Sequence, residues 1–381
     1  MFYALVISII GINIYVWHRL RLAFLRGHLP AALLLLLCML SLLFMPLFMR
    51  MLFRHGEEPR FLAQASWTWL ALAFWLFTAF LACGLWNTLA DLACAAIGFL
   101  HPERTPPASP RLGDLASACI AISATALAVA WGVFEAGAIA VNRVAIADSR
   151  VPESASGCRI LLVSDLHLGP AATEARVRKI ARLVQKEKPD IILSAGDMID
   201  GSGQREEKLA SMIAQCDAPY GRFAVFGNHD VYSGLEFSRK CHDIAGFSLL
   251  ENSSASPLPW LFIHGETDPA AGWHPGMKGA APKTPPQPPE GSFSILLKHR
   301  PDAKEDQPYS LQLSGHSHGG QIFPFNFLVR MQYPYKEARL NRLAGGGLLY
   351  VSRGTGVWGP PFRLLARPEI TLFTLESEKR Q

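Results

Sequence analysis

The first 150 residues contain no lysine. A stretch that long with so little charge is not the surface of an ordinary water-exposed domain. Cysteine is sparse: Cys38, Cys83, Cys94 and Cys119 sit in apolar runs, and Cys158, Cys216 and Cys241 are widely spaced. No Cys-x-x-Cys pair occurs, which argues against a thiolate zinc site and against a disulfide framework. Net charge is only +5 over 381 residues. No cluster of lysine and arginine with interleaved aromatics appears, so no nucleic-acid partner is expected. The first apolar run has neither a basic segment before it nor a small-x-small cleavage site after it. It therefore reads as a retained helix, not a removable leader.

Four apolar runs are present instead: 2–17, 30–49, 67–86 and 115–141. Each approaches the ~20 residues a bilayer requires. The third stays apolar to about Leu100, interrupted by Asn87 and Asp91, and the fourth contains Glu135. Both carboxylates lie toward the ends of their runs, which places them at a membrane interface. The expected region is 1–145, about four transmembrane helices in a bacterial inner membrane. Loop arginines do not decide the orientation. Arg19, Arg21, Arg26, Arg104 and Arg111 fall on one side, and Arg50, Arg54, Arg60, Arg143 and Arg150 on the other. The arginines after the first run, with none before it, lean toward an N-terminus and a C-terminal domain outside the cytoplasm.

Composition changes across a linker, 146–158. Beyond it, Arg159 to Asp165, Ile191 to Ala195 and Phe223 to Phe226 are short buried-strand patterns, alternating with helical stretches at 171–187 and about 205–215. That alternation predicts an α/β layered domain. After 245, strands follow closely at 247–250, 260–264, 293–298, 309–313, 348–352 and 369–375. Between them 265–291, with seven prolines and five glycines, reads as a long irregular loop.

Five of these strands run into polar groups: Asp165-Leu166-His167, then Gly196-Asp197-Met198-Ile199-Asp200, then Gly227-Asn228-His229-Asp230, then His299, then Gly315-His316-Ser317-His318. In an α/β sheet the crevice beyond the carboxyl ends of the strands is where ligands bind. Asp, Asn and His in such numbers suit Mn²⁺, Fe or Zn²⁺ and not Ca²⁺. Seven ligands exceed one tetrahedral ion and suit two ions sharing a carboxylate. Two metals about 3.5–4 Å apart clamp the attacking and leaving oxygens at phosphorus, and the acidified water between them becomes the nucleophile.

The series Asp-x-His, Gly-Asp-x-x-Asp, Gly-Asn-His-Asp, a later His, and Gly-His-x-His resembles the calcineurin-like metallophosphoesterase superfamily. Lys298-His299-Arg300-Pro301, Gly319-Gly320-Gln321 and the tail from Tyr350 to Arg363 resemble its membrane-associated bacterial phosphodiesterase branch, the YkuE and YaeI type. The resemblance covers about 159–376 and implies a domain over 159–377: a β-sandwich flanked by helices in α/β/β/α layers. It further implies that Asp165, His167 and His318 hold one metal, that Asn228, His299 and His316 hold a second, and that Asp197 bridges them. His229 would be a general acid or a transition-state hydrogen-bond donor, oriented by Asp230. Asp200 either caps its turn or bonds a ligand histidine from behind, and stays outside the ligand set. The multispan N-terminus is longer than the single anchor typical of the branch.

Arg353 and Arg363 are phosphate-pairing or structural arginines. Trp358, Pro360, Pro361 and Phe362 cover a lipid chain or pack internally. His264 and His274 read as bystanders. The expected function is a membrane-anchored phosphodiesterase with two divalent ions, Mn²⁺ first and Fe or Zn²⁺ as alternatives. The expected partners are the lipid bilayer and a phosphodiester or pyrophosphate, lipid-linked by the logic of anchoring. Hydrolysis of UDP-2,3-diacylglucosamine is one activity within the superfamily. The alternative of another class is a transporter or sensor in which the metal domain is regulatory.

Overall fold

The computed structural model describes residues 2–52, 60–103, 105, 107–273 and 284–378. Arg54, Arg104, His274 and the middle of the 265–291 stretch lie outside the described residues. The chain divides into two compact units, one ending at Trp131 and the other running from Gly132 onward.

The first unit is helical: α1 (Phe2–Phe24), α2 (Leu29–Leu52), α3 (Arg60–Leu100) and most of α4 (Asp114–Gly137). Two of these, α3 and α4, are long and apolar enough to cross a membrane by length and composition. Neither is a buried core helix, since only 33% and 28% of their most apolar stretches are buried. The third apolar run extends further than a single span: α3 is one 41-residue helix, about 60 Å long at 1.5 Å per residue. The helices meet through a small cluster of Val16, Met39, Leu76, Phe80, Ala118 and Ala121. Asn13 bonds Trp69 at 3.0 Å, and Asp91 pairs with Arg111 at 3.4 Å.

The second unit contains two six-stranded sheets. In chain order its strands are β1 (Ala140–Asp148), β2 (Cys158–Val163), β3 (Ile191–Ser194), β4 (Arg222–Ala224), β5 (Ser248–Leu249) and β6 (Ser253–Leu258). They continue with β7 (Leu261–Glu266), β8 (Phe293–Lys298), β9 (Leu311–Ser314), β10 (Leu340–Arg342), β11 (Leu348–Val351) and β12 (Glu369–Ser377). The first sheet runs β1-β12-β2-β3-β4-β5, and the second β10-β11-β9-β8-β7-β6. Strands β2 to β5 are mutually parallel, as are β7, β8, β9 and β11. Their carboxyl ends therefore share an edge within each sheet.

The inner faces meet in one apolar layer, with Ile160, Leu162 and Leu193 against Ile263, Ile295 and Leu313. The outer face of the first sheet buries Leu161, Val163 and Ile192 against helices α5 (Glu174–Glu187), α6 (Gln204–Ile213) and α8 (Leu235–Ala245). A five-residue helix, α7 (Asn228–Tyr232), precedes α8. Burying an aliphatic side chain contributes about 1.5–3 kcal/mol, so these two layers hold the sheets in place.

Three expectations need correction. The helical layer expected over the second sheet is not found among the described residues. That face carries Ser294, Ser310 and Gln312, bonded among themselves and to Ser314, and its apolar residues Leu349 and Val351 pack instead with Leu343, Ala303 and Tyr335. The boundary near 145 also moves. Residues 140–148, divided by sequence between membrane region and linker, form β1, in register with β12 from Ala140↔Glu369 to Asp148↔Ser377. The 265–291 stretch is less irregular than expected, beginning as the end of β7 and a turn of 3-10 helix over Pro269–Trp273.

Candidate metal centre

The loops that leave the strand ends are fixed to one another by backbone hydrogen bonds. Beyond β2, the amides of Asp165 and His167 donate to the carbonyls of Gly196 and Asp197 beyond β3, at 2.9 and 3.0 Å. Gly315 donates to His299 O at 2.9 Å, and His316 N–H donates to Asp165 Oδ1 at 3.0 Å. Close approach demands glycine at two positions. A Cβ on Gly227 would lie 2.1 Å from Asp197 Oδ1, and one on Gly315 would lie 1.8 Å from Ser164 Oγ.

Asp165, His167, Asp197, Asn228, His299 and His318 are all buried, and His316 is half-buried. The structure brings six of the seven together in two adjoining groups, with Asn228 at the start of α7, between Gly227 and His229. Asp165, His167 and His318 form one, and Asp197, His299 and His316 the other. Asp197 serves both sides: its Oδ2 lies 3.2 Å from His299 Nε2 and 3.8 Å from His167 Nε2, while Oδ1 accepts the His229 amide at 2.8 Å. Asp165, His167, Asp197, His316 and His318 all adopt positive φ, between 44° and 70°. Non-glycine residues rarely adopt this region. Five in one cluster store strain where function requires it.

The groups fit divalent cations. Asn228 Oδ1 is buried and has no hydrogen-bond partner, a cost that folded proteins rarely accept without a ligand. Imidazole nitrogens face each other at 3.0 Å (His167 and His318) and 3.1 Å (His299 and His316), an arrangement that needs a proton or a cation between them. His299 Nδ1 lies 2.8 Å from Ala195 O, which fixes its other nitrogen toward the cluster. Burial, with His299 beside it, drives His316 down to about 3, and burial with His167 and Arg363 holds His318 well below the usual imidazole range. Both are thus neutral, as a ligand must be. Burial opposes ionisation of Asp197, yet the imidazoles of His299 and His229 hold its carboxyl well below the usual range.

His229 is oriented by Asp200 and not by Asp230. Asp200 Oδ1 lies 2.9 Å from His229 Nδ1, and its other oxygen lies 3.5 Å from His167 Nδ1. Against the opposing effect of burial, this bond raises His229 to about 9. Asp230 points elsewhere, accepting the amides of Gly227, Ile199 and Met198 at 2.8, 2.9 and 3.3 Å. Two residues adjacent on a helix point about 100° apart, so Asp230 cannot follow the His229 ring.

The two arginines are structural. Arg363 is fully buried and donates to the carbonyls of Gly356, Arg353, His318 and Ala366, with Nη2 3.0 Å from His318 Nδ1. Arg353 pairs with buried Glu369 at 2.8 Å. Phe362 packs internally, while the Trp358 ring lies 5.4 Å from that of His229. His264 bonds Ser254 at 2.8 Å and joins neither ligand group.

Comparison with known proteins bears on the unit that carries these groups. A family model for calcineurin-like phosphoesterases matches residues 158–320. An Aquifex aeolicus chain described as an uncharacterized metallophosphoesterase is 32% identical over 261 residues, 65% of this chain and 96% of that one. YkuE of Bacillus subtilis, described in the same words, is 33% identical over 245 residues, 61% of this chain and 84% of its own. A Danio rerio chain described as a transmembrane protein with metallophosphoesterase domain is 28% identical over 349 residues, 86% of this chain and 76% of that one. That last likeness extends past the phosphoesterase unit into the N-terminal helices. The chain belongs to the calcineurin-like phosphoesterase family. It is a metal-dependent phosphoesterase.

Proposed function

We propose that this chain is a membrane-held phosphodiesterase with two divalent cations, Mn²⁺ first, acting on a lipid-linked phosphodiester or pyrophosphate. The carrying observation is the position of Asp197, whose Oδ2 lies 3.8 Å from His167 of one ligand group and 3.2 Å from His299 of the other. Asp165, His167 and His318 would hold one cation, and Asn228, His299 and His316 the other. When bound, the pair supplies Lewis acidity toward a water and toward the phosphoryl oxygens.

The remaining steps belong to the protein. His229, kept protonated at neutral pH by Asp200, donates a hydrogen bond or a proton to the departing oxygen. Asp200 holds the ring by Nδ1, which leaves Nε2 for the substrate. Asp230 keeps the Asp197 and Asn228 loops in register through three amides. The helices α1 to α4 anchor the enzyme as a multi-pass region. This reading is supported by the apolar exteriors of α3 and α4 and by likeness to proteins described as transmembrane.

The test is hydrolysis of bis-p-nitrophenyl phosphate by the purified full chain with Mn²⁺, beside Asp197→Asn. Turnover that requires the metal and disappears in the variant is expected. A wild-type chain inert with every divalent metal would overturn the assignment.

A further inference from the structure

Between His318 and β10 lies a short helix, α9 (Phe325–Gln332), none of whose residues is buried. Phe327, Leu328 and Met331 are 55%, 59% and 82% exposed. Spacings of three and four residues put them on one helical face. A helix facing water would carry polar residues there. Beside it, Leu365 is 63% exposed and adopts φ +58°, a conformation that leucine tolerates poorly and that Asn, Asp or Gly would tolerate well.

We propose that Phe327, Leu328, Met331 and Leu365 insert into the surface layer of an anionic bilayer, presenting the metal centre to phosphate held among the headgroups. The inference rests on the membrane reading above and names where the substrate is met. Two observations select a bilayer as the occupant. The first is charge. Arg330, Lys336, Arg339 and Arg342 are all exposed, and the one carboxylate between 322 and 344, Glu337, is bonded by Ser317. An apolar face with a basic rim is the pattern of helices that lie in anionic membrane surfaces.

The second is continuity with α4, a helix of spanning length. Phe323 N–H donates to Leu364 O at 3.1 Å. The next residue, Leu365, donates its amide to Glu135 in the last turn of α4 at 2.9 Å, and Arg363 N–H donates to Gly132 O at 3.0 Å. The apolar face is thus tied to the last turn of α4, whose residues from Gly132 onward belong to the same compact unit. Helix α9 is also tied to the catalytic groups. A Cβ on Gly320, two residues beyond His318, would meet the Asn326 amide at 2.3 Å, and the Tyr333 ring at the other end of α9 lies 6.0 Å from that of His316.

The experiment places the full chain in nanodiscs of phosphatidylethanolamine and phosphatidylglycerol, the latter partly diazirine-labelled. After irradiation and trypsin, lipid-labelled peptides are mapped. Label is expected in the peptides of α3 and α4 and in those ending at Arg330 and Lys336. In Phe327→Ser/Leu328→Ser/Met331→Ser the last two should lose label by about fivefold, while hydrolysis of soluble bis-p-nitrophenyl phosphate stays within about twofold. Label in α3 and α4 without label in the α9 peptides would overturn this inference alone. Cross-links between the α9 peptides of two chains would overturn it in favour of a second copy. Absence of label from α3 and α4 would remove the membrane reading and this inference with it.

Discussion

In the N-terminal helices, large apolar side chains face outward: Leu85, Leu89, Leu92 and Phe99 are 55–85% exposed. In the phosphoesterase unit, charged and polar side chains face inward: Asp165, Asp197 and His299 are within 2% of complete burial. Each arrangement costs free energy in water. Exposed apolar surface costs about 25 cal/mol per Å², and an unpaired buried carboxylate costs several kcal/mol. Each cost falls when a partner of matching chemistry is present: cations for the buried carboxylates and imidazoles and, on the membrane reading proposed above, hydrocarbon for the outward helices. Exposed leucine is commonplace on its own. Whole helices of it are what the membrane reading rests on, as clusters of buried carboxylate and imidazole are for the cations.

The largest expected effects come from removing the inward groups. Asp197→Asn, His316→Ala and His318→Ala should each lower turnover by at least about a hundredfold, the upper end of what losing even a supporting partner of a ligand costs. Circular dichroism and thermal unfolding should show the fold retained. Full activity in either histidine variant would remove that residue from the site. Next is the outward surface. Leu85→Arg in α3 should cost about 2.5–3.5 kcal/mol if the position lies near mid-bilayer, read as loss of membrane-integrated protein on expression. Tyr220→Arg, at a position 46% exposed in the phosphoesterase unit, should stay within about 0.5 kcal/mol. Equal tolerance at both positions would erase the contrast.

A third experiment separates two carboxylates that the sequence makes look interchangeable. Asp230→Asn replaces the acceptor of three amides and should lower stability by about 1–3 kcal/mol, while folded protein keeps much of its turnover. Asp200→Asn should also lower stability near neutral pH, because the pairing that raises His229 is lost, but in addition it should lower turnover about 10–100-fold and move the alkaline limb of the rate profile downward as His229 falls from about 9. The opposite pattern would restore Asp230 as the residue that orients His229.

The clustering of strand-end Asp and His was legible because each motif is local: a few apolar residues, then Asp or His. The strand over 293–298 coincides with β8 for the same reason. Asp230 was misread because adjacency in sequence passed for adjacency in space. Its place three residues after Gly227, at the start of α7, is that of a side chain reaching back to cap a helix, and this could have been recognised. β1 was hidden differently. Its partner β12 lies more than 200 residues downstream, and its apolar residues continue the run of α4. β6, with the sequence Ser-Ser-Ala-Ser-Pro-Leu, has almost no strand propensity of its own. It is held by pairing with β7, so tertiary context decides it.

The gentlest probe of the contrast is the pH dependence of the metal-free protein, because protons then stand where cations would. His229 and His299 are raised, to about 9 and about 10, against burial and by Asp200 and Asp197 respectively. Their contribution to stability is fully present below the unfolded value near 6.5 and is lost as pH rises through 9 to 10. His316 and His318 are depressed by burial and neighbouring imidazoles, so the unfolded chain binds their protons first and stability falls as pH drops below about 6.5. Chelated protein should therefore be most stable near pH 6.5, with slopes of up to about 1.4 kcal/mol per pH unit for each group. Adding Mn²⁺ should flatten the alkaline side, where cations replace the protons of His299, and steepen the acid side, where protons compete with cations for the ligands. Thermal unfolding with and without chelator between pH 5 and pH 10 measures both slopes. A metal-free profile that is flat across neutrality would mean that these four imidazoles do not share one electrostatic site.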